Sequence, residues 1–452
     1  MTPASLAAVK ASADFAALGR QMHDLVAELY PICRSITGEG LRATLRRVAQ
    51  DTGLSIREVP SGTQVLDWTV PREWNIRDAW VANARGERVI DFRKSNLHVV
   101  NYSVPVRTRM TLSELRPRLH ALPDRPDWIP YRTSYYSEDW GFCLAHNELA
   151  RLPEATYDVV IDSSLEPGSL SYGELFLPGS SRDEVLLSCH CCHPSLANDN
   201  LSGVALLTTL AQLLAKASRR LSYRFLFVPG TIGSITWLAA NDDTVSRVRH
   251  GLTAACVGDA GPLTYKKTRR RDAEIDRAAQ HVLKASGQPH RVAEFSPYGY
   301  DERQYNSPGF KLPVGSLTRT PHGQYREYHT SADDVGFVRP ESLAGSLSAY
   351  LSVLAVLEGN ERYRNTHPKG EPQLGKRGLY RAIGGEPDPG QLQMAMLWVL
   401  NQSDGGPALL DIAERAELPF EQVRVAADVL VAHGLLEPVP PYPAGTIESH
   451  RQ

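Results

Sequence analysis

Residues 15–50 place apolar side chains at helical spacing (Phe15, Leu18, Met22, Leu25, Val26, Leu29), cross a small polar turn at 35–40, and resume that spacing from Leu41 to Val48. A helical opening segment is predicted. From about 60 to 165 the texture becomes short β-type stretches interrupted by proline, at 65–70, 97–102 and 131–136, which predicts a separate β-rich unit. Between 170 and 360, strand, loop and helix alternate: an apolar run at 185–189, a polar loop, a helix over roughly 200–217, then an apolar run at 224–228. That alternation predicts an α/β domain with a largely parallel sheet, whose ligands bind at the carboxyl ends of the strands. A Gly/Pro/Lys-rich stretch at 367–390 precedes helical patterns near 391–402, 407–416 and 420–434 and a terminal β-like turn at 434–438. Three short helices with such an ending resemble a winged helix.

Composition narrows the function classes. At 452 residues the chain has room for about two to four domains. A net charge of −2 with 42% hydrophobic residues excludes a disordered chain and a global basic field for nucleic acid. The residues at 391–440 carry seven acids (Asp404, Asp411, Glu414, Glu417, Glu421, Asp428, Glu437) against Arg415 and Arg424, the wrong sign for a phosphate-reading module. A packing or homo-oligomer contact is the expectation there. The N-terminus shows no basic region followed by an apolar run, and no stretch reaches the roughly 18 apolar residues of a membrane span, so a cytoplasmic protein without membrane contact is expected. Cysteines 189, 191 and 192 are too crowded for ordinary pairwise bridging, so all six cysteines read as reduced thiols.

The most informative segment is Ser188-Cys189-His190-Cys191-Cys192-His193-Pro194-Ser195-Leu196-Ala197-Asn198-Asp199-Asn200-Leu201-Ser202-Gly203. It ends an apolar strand with two histidines and, nine residues after the first, sets Asp199 at the start of a helix. An imidazole and a carboxylate at adjoining strand and helix ends can share a divalent cation, and this donor set suits zinc. The competing uses are an N-cap for Asp199 and simple packing for the cysteines; a structural zinc knuckle is disfavoured by the close spacing. Farther on, an apolar run at 253–257 leads to Asp259, and His329 lies in a polar loop before a long helix.

The order His190, Asp199 to Gly203, Asp259, Asp301-Glu302 and Tyr328-His329-Thr330 is similar to the co-catalytic zinc aminopeptidases and the related glutaminyl cyclases. The whole chain more closely resembles the bacterial aminopeptidase-like family with an inserted β-domain and a C-terminal winged helix. The matching stretches are residues 29–38, Trp74-Asn75-Ile76-Arg77-Asp78-Ala79, Ser95-Asn96-Leu97-His98, Trp140-Gly141-Phe142-Cys143 and Asp301-Glu302-Arg303-Gln304-Tyr305. The resemblance implies a zinc-aminopeptidase-like, phosphorylase/hydrolase-like α/β sandwich made of 1–60 and 166–365, an inserted β-rich domain at 61–165 and a winged-helix-like domain at 366–452. It also implies His190, Asp199 and Asp259 as one metal set, with Asp199 bridging to a second ion held partly by His329. Members are associated with polysaccharide or natural-product biosynthesis, so a small-molecule or peptide-like substrate is expected.

One departure changes the expected chemistry. Where the aminopeptidases carry paired glutamates after the strand at 225–228, this chain reads Pro229-Gly230-Thr231. Gly230 stands at the general-base position and has no group to accept a proton, a step worth about 10²–10⁴-fold. Thr231 stands where the second ion's carboxylate would be, so one zinc ion is expected, not two. A single Lewis acid without a water-activating base points to acyl transfer or amide formation. Asp301 and Glu302 are the nearest candidates for proton transfer; the alternative is a catalytically inactive protein that holds a peptide or sugar. Arg303, Arg319, His322, Tyr131, Tyr135 and Tyr136 are the candidate substrate contacts, the arginines as bidentate partners of a carboxylate unless they are used in surface ion pairs.

Overall fold

The computed structural model describes residues 4–379 and 389–439. The predicted opening helices form as Phe15–Leu29 and Glu39–Thr52. Asp14 caps the first by accepting the Ala17 amide at 3.0 Å, and Gly53 ends the second with a left-handed φ of 73°, the conformation that favours glycine at a helix C-terminus. Chain packing divides into two compact units, one of residues 1–276 and 289–351, the other of 277–288 and 352–452.

The larger unit is built on an eight-stranded mixed sheet. Its order from one edge is His290–Ala293, Leu263–Lys266, Val314–Thr318, Val248–Ala254, Glu184–His190, Ser222–Val228, Ser169–Leu177 and Ser55–Pro60. Glu184–His190 runs parallel to both of its neighbours, and every residue in it is buried, so an uninterrupted apolar run with short polar ends is what this position demands. The strands that follow it in the chain lie on opposite sides of it. Strand order therefore reverses at Glu184–His190, and the crevice at its carboxyl end, where His190 stands, is where such sheets bind ligands.

The opposite end of the same strand is held by charge. Arg224 is 8% exposed and Glu184 1%; Arg224 donates to Glu184 at 2.7 Å and to Glu174 at 2.5 Å, and Arg247 adds a 2.7 Å bond to Glu184.

The β-rich unit of the sequence is present as a four-stranded antiparallel sheet, Arg88–Asp91, Glu73–Ala82, Thr156–Glu166 and Val106–Thr111. Its members are not the three stretches that read as strands. Residues 65–70 fall in a tight hairpin of Gln64–Val65 and Trp68–Thr69, residues 97–102 begin inside a 3-10 turn at Asn96–His98, and residues 131–136 are loop joined to the previous stretch by one isolated bridge, Asn101 to Thr133. Aromatic β-propensity there reflects ring packing, which propensity alone does not distinguish from strand pairing.

The smaller unit contains the helices Pro389–Gln402, Leu409–Ala416 and Phe420–Ala432 with a three-stranded sheet, Asp404–Ala408, Arg362–Asn365 and Leu436–Pro438. This is the expected winged-helix arrangement; of the range 366–452, residues 380–388 and 440–452 lie outside the described residues. Helix Pro340–Gly359 is long and apolar enough to cross a membrane by composition, contrary to the sequence expectation. Its apolar positions Leu343, Leu347, Leu351 and Leu354 are all fully buried in the fold, which accounts for its composition.

Glu184→Ala is expected to destabilise the larger unit by about 3–5 kcal/mol, because it strands the buried Arg224 without its main partner. Denaturant unfolding of the variant measures this; a loss under about 1 kcal/mol, the size of an exposed ion pair, contradicts it.

Candidate metal centre

His190 ends the central strand, and the chain then turns through 191–196 into a short irregular coil, Ala197–Leu201, before helix Ser202–Lys216. The coil carries Asp199, fully buried at 0% exposure. His190 Nε2 lies 2.7 Å from Asp199 Oδ1, and His193 Nδ1 lies 3.6 Å from Asp199 Oδ2. These three side chains keep one ligand atom each within 4.8 Å of one another. From the far side of the sequence, His329 Nε2 approaches Asp199 Oδ2 at 3.0 Å, with its ring 34% exposed.

Polar side chains around the coil hold it in place. The Asp333 carboxylate accepts the amides of Asn198 at 2.6 Å and Asp199 at 3.0 Å, doing for an irregular coil what an N-cap does for a helix. The Asn200 side chain donates to the carbonyls of His190 and Ala254 at 3.1 and 2.9 Å, tying two neighbouring strand ends together. Ser202 Oγ donates to the Asn198 carbonyl at 2.6 Å. Arg34, fully buried, donates Nε to the His193 carbonyl at 2.9 Å and Nη1 to the Leu29 carbonyl at 2.6 Å. Burial without a carboxylate partner pulls Arg34 down to about 10.

Rings frame the imidazoles. Tyr300 stacks on His190 at 4.7 Å between centroids, Tyr131 turns its edge to both His193 and His329 at 5.1 and 5.0 Å, and Tyr328 stacks on His329 at 3.9 Å. His329 has a left-handed φ of 55°, an uncommon conformation for a side-chain-bearing residue. It is secured by the Tyr131 amide, which donates to the His329 carbonyl at 2.8 Å.

Burial and the Asp199 carboxylate act in opposite directions on the two imidazoles: Asp199 raises His190 above its ordinary value despite burial, whereas burial prevails at His193. Burial pushes His193 down to about 3 against the pull of Asp199, so its ring is neutral. Burial opposes ionisation of Asp199, yet the facing imidazoles of His193 and His190 hold its carboxyl well below the usual range. His193 Nδ1 is buried and has no hydrogen-bond partner, an unusual state for a ring nitrogen and one that a ligated metal ion would satisfy.

Several sequence-predicted residues fall differently. Asp259 was expected beside His190 and Asp199. Its carboxylate instead accepts Thr320 Oγ1 at 2.6 Å, the Gly261 amide at 2.7 Å, and the Thr320 amide and Asn198 Nδ2 at 3.2 Å each, so it reaches the centre through Asn198. Arg319 is tied to the carbonyls of Ser342 and Gly261 and to Ser346 Oγ, which makes it a structural brace and not a carboxylate clamp. Glu302 pairs with Lys266 at 2.9 Å. Arg303 Nε is buried without a hydrogen-bond partner, and its charge acts on Asp301. His322 packs against Tyr300 at 4.9 Å. Tyr131 and Tyr135 meet hydroxyl to hydroxyl at 3.0 Å, and Tyr136 turns outward to Trp68.

Asp301 stands apart from these. It is 1% exposed, accepts Ser234 Oγ at 2.8 Å, and is pushed up to about 6 by burial, against the pull of His190. A Cβ built on Gly230 would lie 3.0 Å from the His190 Cβ and 3.6 Å from Asp301 Oδ2. The Asp301 carboxylate thus reaches the space that a side chain at 230 would enter. Sequence reasoning missed His193, Asp333 and Arg34 as parts of this site. His193 was in view in the same motif, but nothing in the spacing marks Asp333 or Arg34.

Comparisons with known proteins bear on the family and the fold. Residues 23–360 match a family described as a domain of unknown function (DUF4910), and residues 361–438 match a winged helix-turn-helix family. A Clostridium acetobutylicum protein, named for polysaccharide biosynthesis and an aminopeptidase-like domain, is 53% identical over 419 residues, covering 93% of this chain and 96% of that one. A crystal structure named as a peptidase from the same organism superposes with a TM-score of 0.90 at 50% identity, covering 94% of this chain and 98% of that one. A zinc aminopeptidase from Bacillus subtilis shares the fold, with a TM-score of 0.55 at 11% identity over 74% of this chain and 94% of its own.

Asp333→Ala is expected to weaken divalent-cation binding by roughly 10–100-fold, the usual effect of losing a group that orients a ligand. Titration with Co²⁺ followed by visible absorption measures it, and unchanged affinity contradicts the orienting role.

Proposed function

Because the chain belongs to the aminopeptidase-like family with a C-terminal winged helix, we propose that it is a zinc-dependent enzyme acting on an amide or amino-acyl group of a small biosynthetic substrate, with acyl transfer or amide formation favoured over simple hydrolysis. The observation that carries this reading is the Asp301 carboxylate, whose Oδ2 lies 3.6 Å from where a Cβ at Gly230 would stand, a point 3.0 Å from the Cβ of His190, one of the three grouped donors His190, His193 and Asp199. Two imidazoles and a carboxylate suit zinc, and three protein ligands are the number typical of catalytic rather than closed structural sites. The threonine at 231 supports one ion, since it offers no second carboxylate. When bound, the ion supplies Lewis-acid polarisation of a substrate carbonyl.

The chain's own residues supply the rest. Ser234 donates to Asp301 Oδ1, which leaves Oδ2 toward the Gly230 side. Ionised above about 6, Asp301 accepts the proton of an attacking amine as the new C–N bond forms at the carbonyl carbon. It then returns that proton to the departing group as the old bond breaks, a general base and acid in turn. The absence of a side chain at 230 leaves width for an acceptor larger than water. Tyr300 and Tyr131 hold the imidazole rings at fixed angles and limit water at the reacting carbon. The relative named for polysaccharide biosynthesis supports a biosynthetic, carbohydrate-linked substrate, and the acidic winged helix supports a partner other than nucleic acid.

With the zinc-loaded protein, a panel of N-acyl donors and acceptor amines is expected to yield metal-dependent product. Asp301→Asn should lower the rate by about 10²–10⁴-fold and remove the acidic limb of the pH profile near 6. A zinc-loaded protein that turns over no member of the panel contradicts the catalytic reading and favours a binding protein. Gly230→Ala is expected to lower turnover, because the added Cβ meets the His190 Cβ at 3.0 Å; a rate equal to wild type contradicts the need for open space there.

A further inference from the structure

The smaller unit holds a cavity of about 800 Å³, a size suited to one small organic molecule. Helix Pro389–Gln402 contributes Met394, Leu397, Trp398 and Asn401 to its lining, residues at the i, i+3, i+4 and i+7 spacing of a single helix face. Met394 is 49% exposed, so this stripe is not consumed by the core. Ser403 and Asp404 also line the cavity, as does Glu371 from the loop after strand Arg362–Asn365.

The polar part of the lining is rich in acceptors and short of donors. Ser403 is 3% exposed, and its Oγ is buried without a hydrogen-bond partner, an uncommon state for a hydroxyl. The ion pairs of this unit join Arg364 to Glu437, Arg424 to Glu361 and Asp428, Arg277 to Asp411 and Glu414, and Lys284 to Glu417. Glu371 and Asp404 enter none of them, so among the described residues both carboxylates line the cavity without an ion-pair partner. Asp404 Oδ1 accepts the Gly406 amide at 2.9 Å, which leaves Oδ2 for a further donor. Arg364, the cation of the lining, is already engaged with Glu437 at 3.9 Å.

Trp398 points to the same ligand charge. An arginine lies over the rings of Trp80, Trp128 and Trp140, whereas no protein cation lies over Trp398 among the described residues. Tryptophan is the aromatic ring that attracts a cation most strongly. An anionic ligand would meet two uncompensated carboxylates, and a neutral apolar one would cover Ser403 Oγ without supplying a donor. An ammonium group brings three N–H donors, no acceptor and a positive charge.

We infer that this cavity binds a small primary amine with an apolar body: the ammonium donates to Ser403 Oγ and to the carboxylates of Glu371 and Asp404, and the body packs on Met394, Leu397 and Trp398. None of these residues belongs to the metal centre.

Calorimetric titration of the full chain with phenethylamine tests this, with 2-phenylethanol and phenylacetate as the neutral and anionic controls of the same body. A chelator in the buffer prevents any contribution from amine binding to a metal ion. Phenethylamine is expected to saturate one site and to bind roughly tenfold or more tightly than either control. Asp404→Asn keeps an oxygen for the Gly406 amide and removes only the charge, and both carboxylates are exposed, so neither this variant nor Glu371→Gln disturbs the core. Each should weaken binding by roughly three- to tenfold, and Trp398→Ala by roughly three- to fivefold, with Trp398→Phe keeping most of the affinity. No saturable binding, equal affinity for the three compounds, or an affinity unmoved by Asp404→Asn and Glu371→Gln would each overturn the site.

Discussion

A carboxylate taken wholly out of water is tolerated only when charge and hydrogen bonds replace its hydration. Asp199 is in that position, and much of the larger unit is arranged around it. The reversal of strand order at Glu184–His190 brings one imidazole to it, the turn after that strand brings His193, and a distant loop brings His329. Asp333 and Asn200 fix the coil that carries it. The charged bonds of Arg224 and Glu184 at the other end of the same strand keep the register that makes this convergence repeatable.

The inserted β-rich region takes part in the same arrangement. Its loop at 129–131 pairs with 329–331, so the region that looks peripheral in the chain secures the least buried of the three histidines. Tyr131 performs two tasks there: its amide holds the His329 backbone, and its ring borders His193 and His329. Catalytic residues on loops need such support from rigid neighbours.

The α/β core, the winged helix and the pairing of His190 with Asp199 were legible in the sequence, because strand and helix periodicity and a strand-end motif leave local signals. What was not legible depends on distant partners. Asp333 and Arg34 touch the site through backbone groups of 193–199, contacts for which no residue spacing exists. The stretches at 97–102 and 131–136 share strand-like composition, yet the second places its rings around the imidazoles. Arg319 and Arg303 looked alike as candidate clamps. Only the surrounding carbonyls show that the first is consumed by the fold. Gly230 was visible as a missing base, whereas the approach of Asp301 to the same space needed coordinates, since 71 positions separate them in the chain.

The central claim is that Asp199 gathers His190 and His193 into one metal-binding centre. Anomalous diffraction at the zinc edge, from crystals of the full chain grown with zinc, tests it most directly. The account predicts a single strong peak among His190, His193 and Asp199. A map with no peak there, in crystals that preserve the fold, would contradict it.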